Sequence, residues 1–467
     1  MRRVGLGAQG SAVGARDWKF VVAAALMAAI PAFLSSSSEQ PRGGPAANHV
    51  VMISLDGFTA AALADPGVPI PTLRRLAARG AMARGMRPVN PTVTWPNHTS
   101  MVTGVHPAKH GVLFNGLLVR QPGLAPRIEP WRDKAEMVRA PTLYDIAHGR
   151  GLTTAQVDWV AIQNPGTITW EFAERPDPKG AVARELVTAG VVSDEDVQNF
   201  PGRNIVYRDH VWTQAAAHII RKHRPNLMLF HLLNLDSTQH RYGPATHAAT
   251  SVMALLDTHV AEILRAIDDA GLTARTTVFV VSDHGFKAVK RQIRPNAQFA
   301  RAGLLTVQDG KVTKADVYSV PEAGTALVYV TSRDESGKLA ARARTVLEGM
   351  EGIDRIIEPK DYAALGLPQP ADSDQVGALF LTAKDGYAFT ADPNEPAVVN
   401  APPGSGSHGY VASDPDLRAL FIASGRGIRE GVTLDAVNTI DIAPTAATLL
   451  ALELKDVDGR VLKEILR

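Results

Sequence analysis

The chain contains no cysteine. Disulfides, thiolate zinc sites, iron–sulfur clusters and cysteine nucleophiles are thereby excluded, as is sulfatase chemistry that begins by oxidising a cysteine. A metal site here must be assembled from His, Asp and Glu. An excess of charge of one sign is also missing. Lys and Arg number 49 against 47 Asp and Glu, so no clustered basic footprint for nucleic acid is expected. No glycine-rich phosphate loop is found: Gly57, Gly104 and Gly285 are single glycines that serve backbone geometry. Internal repeats and heptads are absent as well.

What is present suits a large globular chain. The 467 residues, 45% hydrophobic and 21% charged, suffice for one large α/β domain with insertions or for two ordinary domains. Arg2, Arg3, Arg16 and Lys19 lead into the apolar run Phe20–Leu34, which is short for a membrane span and suits the core of a secretory signal. Residues 1–36 are therefore expected to be a signal peptide or an N-terminal anchor, with 37–48 as a linker. A periplasmic or secreted protein follows, touching a membrane only through this leader if it is uncleaved.

From residue 49 the text alternates between strands and helices. His49–Leu55 is continuously apolar, as expected for a parallel strand covered on both faces. Val157–Val160, Leu227–Leu233 and Thr276–Val281 are expected strands, with shorter apolar runs at 326–330, 378–381 and 419–423. Helices are expected near Thr72–Arg79, Asn97–Val102, Arg208–Lys222, Ala248–Ala270 and Thr439–Leu450. This order predicts an α/β fold with a doubly wound, mostly parallel central sheet flanked by helices. Residues 49–467 are expected to form one domain, with cap insertions at about 116–205 and 287–405.

In such sheets ligands bind outside the carboxyl ends of the strands. Asp56, Asp236 and Asp283 each follow an apolar strand-like run, and His240, His284 and His408 accompany them. Three carboxylates and three imidazoles form a ligand mix suited to zinc, and also acceptable to manganese or iron. Two three-residue sets would each leave a coordination position open. Two metals about 4 Å apart can clamp both oxygens of an in-line displacement at phosphorus.

These residues sit in blocks that resemble the nucleotide pyrophosphatase/phosphodiesterase branch of the alkaline phosphatase superfamily. The blocks are Ser54-Leu55-Asp56-Gly57-Phe58, Pro91-Thr92-Val93-Thr94-Trp95-Pro96-Asn97-His98 and Val102-Thr103-Gly104 with His110-Gly111 and Asn115. They continue with Asp236–Pro244, Ser282-Asp283-His284-Gly285 and Gly406-Ser407-His408-Gly409-Tyr410, in the family's order. The resemblance implies an alkaline-phosphatase-like fold and two Zn2+. Asp236, His240 and His408 would hold one zinc; Asp56, Asp283 and His284, with Thr94, the other. It implies Thr94 as the nucleophile of a covalent phospho-threonine mechanism and Asn115 as donor to a non-bridging phosphoryl oxygen. The expected substrate is a small-molecule phosphate diester, nucleotide-like or otherwise.

Alternatives stay open on the residues alone. Thr92 is the nearest competitor for nucleophile. His98, His106 and His110 read as structural hydrogen-bonders, and His49 as unrelated to the site. Gln239 stands where the family often has glycine and is expected to crowd that edge. Where nucleotide-cleaving relatives sandwich the base between two aromatics, this chain has Trp95, able to stack on a base, and His231. A phosphate monoesterase or a phosphonate hydrolase on the same scaffold is the competing enzyme, and a metal-binding module without activity the non-enzymatic alternative.

Overall fold

Strand β1 (His49–Leu55) is buried at every position. Its side chains alternate between two cores: Val51, Ile53 and Leu55 enter one, Val50 and Met52 the other. That two-sided burial explains the unbroken apolar run. The computed structural model describes residues 48–334 and 337–467. The expected leader, and the linker up to residue 47, lie outside the described residues.

Seven further strands complete the central sheet: β2 (Ala81–Ala83), β3 (Thr154–Val157), β4 (Trp170–Phe172), β5 (Leu227–Leu232), β6 (Thr276–Val281), β7 (Phe421–Gly425) and β8 (Val432–Leu434). Their spatial order is β8-β2-β7-β6-β1-β5-β3-β4. β1 lies parallel between β5 and β6, with Ile53 opposite Phe230 and Val280. Only β7 runs against its neighbours, β6 and β2, so the sheet is mixed rather than wholly parallel.

Helices cover both faces. α1 (Pro71–Ala78), α3 (Ala181–Thr188), α4 (Ile205–His223) and α6 (His247–Asp269) bury their apolar stripes in the first core. α2 (Thr94–Thr103) and α7 (Ile442–Leu449) bury theirs in the second. α5 (Asn234–Tyr242) follows β5 directly. α1 starts at Pro71, whose missing N–H costs nothing there. The next two amides, of Thr72 and Leu73, donate to the Asp257 carboxylate of α6 at 3.0 and 2.8 Å.

Two expectations need correction. The strand expected at 157–160 lies at Thr154–Val157, because Thr154 and Gln156 are polar by type yet buried in the sheet. The segment 116–205 is not a cap as a whole, since it contributes β3, β4 and α3 to the main domain. Strands of four and three residues are too short to read as apolar runs. Residues 287–405 carry a separate four-stranded antiparallel sheet of Val317–Glu322, Thr325–Val330, Leu379–Ala383 and Ile353–Ile357, in that order. The run at 326–330 therefore belongs to this second sheet.

Trp212 on α4 is fully buried, edge-on to Phe200 at 5.6 Å with the Arg208 guanidinium 4.6 Å from its ring. Trp212→Ala is expected to lower stability by about 3–5 kcal/mol, measured as a shifted denaturant midpoint.

Candidate metal and nucleophile site

The site is built from the carboxyl ends of four adjacent parallel strands. Asp283 follows β6, Asp56 follows β1, Asp236 sits in the first turn of α5 after β5, and Asp158 follows β3. The three carboxylates singled out in the sequence are thus brought to one edge of the sheet.

They form two triads. Asp56, Asp283 and His284 are all buried, and their ligand atoms lie within 4.8 Å of one another. Asp236, His240 and His408 meet the same condition with Asp236 half-buried and His240 exposed, so this triad faces solvent. The His284 and His408 rings stack at 3.7 Å, setting the triads side by side.

Five of these six side chains are oriented from behind, as metal ligands usually are. His408 Nδ1 faces the Thr92 carbonyl at 2.9 Å, His240 Nδ1 the Gly406 carbonyl at 3.1 Å and His284 Nδ1 the Gly285 carbonyl at 3.2 Å. A carbonyl only accepts, so Nδ1 carries a proton in all three rings and Nε2 is the nitrogen left to face a cation. Asp283 Oδ1 accepts the amides of Gly57 and His284 at 3.1 and 3.0 Å. Asp56 Oδ2 faces His231 Nε2 at 3.0 Å. The opposite atoms, Asp56 Oδ1, Asp283 Oδ2, Asp236 Oδ1 and His284 Nε2, are buried without a hydrogen-bond partner in the protein. Buried polar atoms are rarely left so. Their convergence fits divalent cations with open coordination positions.

The electrostatics agree. Burial, followed by the charges of Asp283 and Asp236, pushes Asp56 up to about 8. Burial works against the charged form of His284 as well, but Asp283 overrides it and holds the ring up at about 9. Burial and then the nearby His284 keep His408 neutral, lowered to about 3. Such crowding of buried like charge is relieved by a bound cation.

Thr94 is the first residue of α2 and mostly buried. Its carbonyl faces His98 Nδ1 at 2.9 Å, and that nitrogen is 3.9 Å from Asp283 Oδ2. Thr92 has a different occupation. Its fully buried hydroxyl donates to the Tyr410 carbonyl at 2.7 Å, and its own carbonyl accepts from His408 and Gly409. Thr92 thus fastens the His408 loop. Gly409 there has φ +78, and a Cβ would collide with the Glu322 carbonyl oxygen at 1.7 Å. Asn115 Oδ1 accepts the Trp95 amide at 2.9 Å, placing the exposed Asn115 beside the start of α2. That bond fixes the amide orientation and leaves Nδ2 as a donor.

Several residues depart from expectation. Trp95 is only 5% exposed, packed with Val112, Met137, Val138 and Val160; it is core rather than a free stacking platform. Gln239 turns its amide to the backbone instead. Its side chain is fully buried and donates to the Gly57 carbonyl at 2.9 Å, tying α5 to the turn after β1. His110 is structural as expected, accepting the Val112 amide and meeting Ser100 Oγ at 3.0 Å. His49 faces the Pro225 carbonyl, away from these groups.

The sequence reading missed two positioning residues, Asp158 and Asp209, and the positioning role of a third, His231. His231 is 1% exposed and bridges Asp56 to Asp158, whose Oδ2 is 3.1 Å from His231 Nδ1. Asp158 holds a left-handed backbone, φ 56, to reach it. Asp209 is fully buried and accepts the amides of Leu233 and Asn234 at 3.0 and 3.1 Å, pinning the start of the helix that carries Asp236 and His240. A histidine inside an apolar strand and an aspartate just past one were the available signals. Asp209→Ala is expected to cost roughly 2–3 kcal/mol, the scale of orphaning two buried amides bonded to a carboxylate. Calorimetric melting checks this.

A family model described as type I phosphodiesterase / nucleotide pyrophosphatase matches residues 50–411. The mouse ectonucleotide pyrophosphatase/phosphodiesterase family member 1 is 22% identical over 413 residues, covering 86% of this chain and 40% of that relative. The human family member 7 is 23% identical over 420 residues, covering 89% of this chain and 82% of that relative. The chain thus spans about 40% of the first of these relatives. Among solved structures, the murine ectonucleotide pyrophosphatase/phosphodiesterase 5 superposes with a TM-score of 0.68 at 17% identity, covering 90% of this chain and all of that one. At that identity the likeness establishes the fold.

Proposed function

Because the chain belongs to the type I phosphodiesterase/nucleotide pyrophosphatase family, we propose that it is a zinc-dependent phosphodiesterase that works through a covalent intermediate on Thr94. The observation that carries this reading is the pair of triads with unpartnered atoms in each, linked through His98 to the first turn of the helix that Thr94 opens. The donor set, all imidazole and carboxylate with an open position in each triad, suits two Zn2+. Asp236, His240 and His408 would hold one and Asp56, Asp283 and His284 the other, with Thr94 beside the second. Cations bound there supply Lewis-acid charge at the reacting oxygens and lower the pKa of an oxygen nucleophile.

The Thr94 hydroxyl gives up its proton as Oγ1 forms a bond to phosphorus, and the bond to the leaving oxygen breaks in line, that oxygen departing as the alcohol. The phosphoryl group, still carrying its second substituent, is then esterified to Thr94. Water displaces Thr94 from phosphorus, releasing a monoester and restoring the hydroxyl. Asn115 Nδ2 donates to a non-bridging oxygen, and the Trp95 amide keeps that donor aimed. His231, steadied by Asp158, holds Asp56 in place. The neutral Asn115 beside Thr94 favours a diester, since a monoester's extra negative oxygen calls for a cation. The basic and apolar leader supports export, to the periplasm or outside the cell.

Paired kinetics with bis-p-nitrophenyl phosphate, a nucleoside p-nitrophenyl ester and p-nitrophenyl phosphate test the reading. A diester is expected to be turned over at least about tenfold faster than the monoester, a difference of roughly 1.4 kcal/mol. A preference for the monoester would overturn the diesterase assignment.

A further inference from the structure

A third set of ligand atoms lies on the first core's helices. Glu185 of α3 faces His218 and His223 of α4, and both imidazole Nε2 atoms are 2.8 Å from the same oxygen, Oε2. The three ligand atoms lie within 4.8 Å of one another, and all three residues are half-buried. The other carboxylate oxygen, Oε1, is held by Lys222 at 2.8 Å, so Oε2 alone is presented to the rings. His223 is locked face to face on Trp170 at 3.6 Å and 16°. His223 is thus held by its stack, and both imidazoles point Nε2 at one carboxylate oxygen, a convergence that suits metal ligands.

We propose that Glu185, His218 and His223 form a third, separate binding site for a zinc-class divalent cation. Two imidazole nitrogens and one carboxylate oxygen are three of the four positions of a tetrahedral zinc, with the fourth left to water. On binding, each ring keeps one proton, moved from Nε2 to Nδ1. The cation cross-links α3 to α4. The site stands apart from the catalytic triads: His223 precedes β5 and Asp236 follows it. Six strand residues span roughly 20 Å at about 3.3 Å each. Lys222 opposes the cation's charge, so Lys222→Met is expected to tighten binding.

The test is metal analysis of the full chain after chelator stripping and dialysis against buffered zinc. His218→Gln is expected to hold one zinc fewer per chain than the wild type, with diesterase turnover unchanged. Asp236→Asn/Asp283→Asn is expected to lose zinc at the triads and keep this one. Equal zinc in His218→Gln and wild type overturns the proposal, leaving a cluster of hydrogen bonds. A second readout needs no change at the cluster. In the Asp236→Asn/Asp283→Asn background, one equivalent of Cu2+ at His223 is expected to quench the stacked Trp170, and no saturable quenching would equally overturn the site. Absence of zinc at the triads of the wild-type protein would count against the proposed function, not against this cluster.

Discussion

Replacing Thr94 by alanine is expected to lower kcat/KM for diesters by roughly 10^3-fold or more, the scale of losing a covalent nucleophile. The melting temperature is expected to stay within a few degrees. α2 takes no side-chain cap at its start, and its first residue contributes its carbonyl, not its hydroxyl, to the hydrogen bond with His98. Thr92→Ala gives the opposite profile. It removes the buried bond to the Tyr410 carbonyl, costs about 1 kcal/mol of stability and loosens the His408 loop while leaving the nucleophile intact. Steady-state kinetics with thermal melts on both variants separate the roles. Full activity in Thr94→Ala would sink the nucleophile assignment.

Metal removal is the second large effect. Chelation is expected to abolish diesterase activity, and zinc to restore it. It is also expected to change how stability depends on pH. In the metal-free protein Asp56 is raised to about 8 and His284 to about 9. Both bind protons more tightly folded than unfolded, so their contribution is full below their unfolded values and is lost as pH rises through the folded ones. Between about pH 6.5 and 9 both groups give up protons, and the metal-free protein loses stability. Zinc requires these ligands deprotonated, so the stabilisation it confers grows over the same window. Melting curves with and without zinc across this range check the sign; a zinc-induced shift that shrinks with rising pH would contradict it.

Much of this was legible in the sequence, for identifiable reasons. β1, β5 and β6 are buried on both faces, so their apolar runs announced themselves and the carboxylates after them gave the site's address. β3 was placed three residues late and β4 was missed, because both are short and β3 buries Thr154 and Gln156. Thr92 and Thr94 could not be separated by periodicity, since their difference lies in a contact with Tyr410, more than three hundred residues away. The roles of His231, Asp158 and Asp209 were hidden likewise, since each acts through a partner on another element, 24 to 175 residues away. Trp95 was misjudged because its neighbours Met137, Val138 and Val160 arrive from a segment expected to be a cap.

The most direct measurement is acid quench of the zinc-loaded protein during turnover of a diester, followed by mass spectrometry of the peptide containing Thr92 and Thr94. The mechanism predicts Thr94 esterified to the phosphoryl group with its retained substituent, and no such adduct in Thr94→Ala. An adduct on Thr92, or turnover at full rate with neither threonine modified, would contradict it.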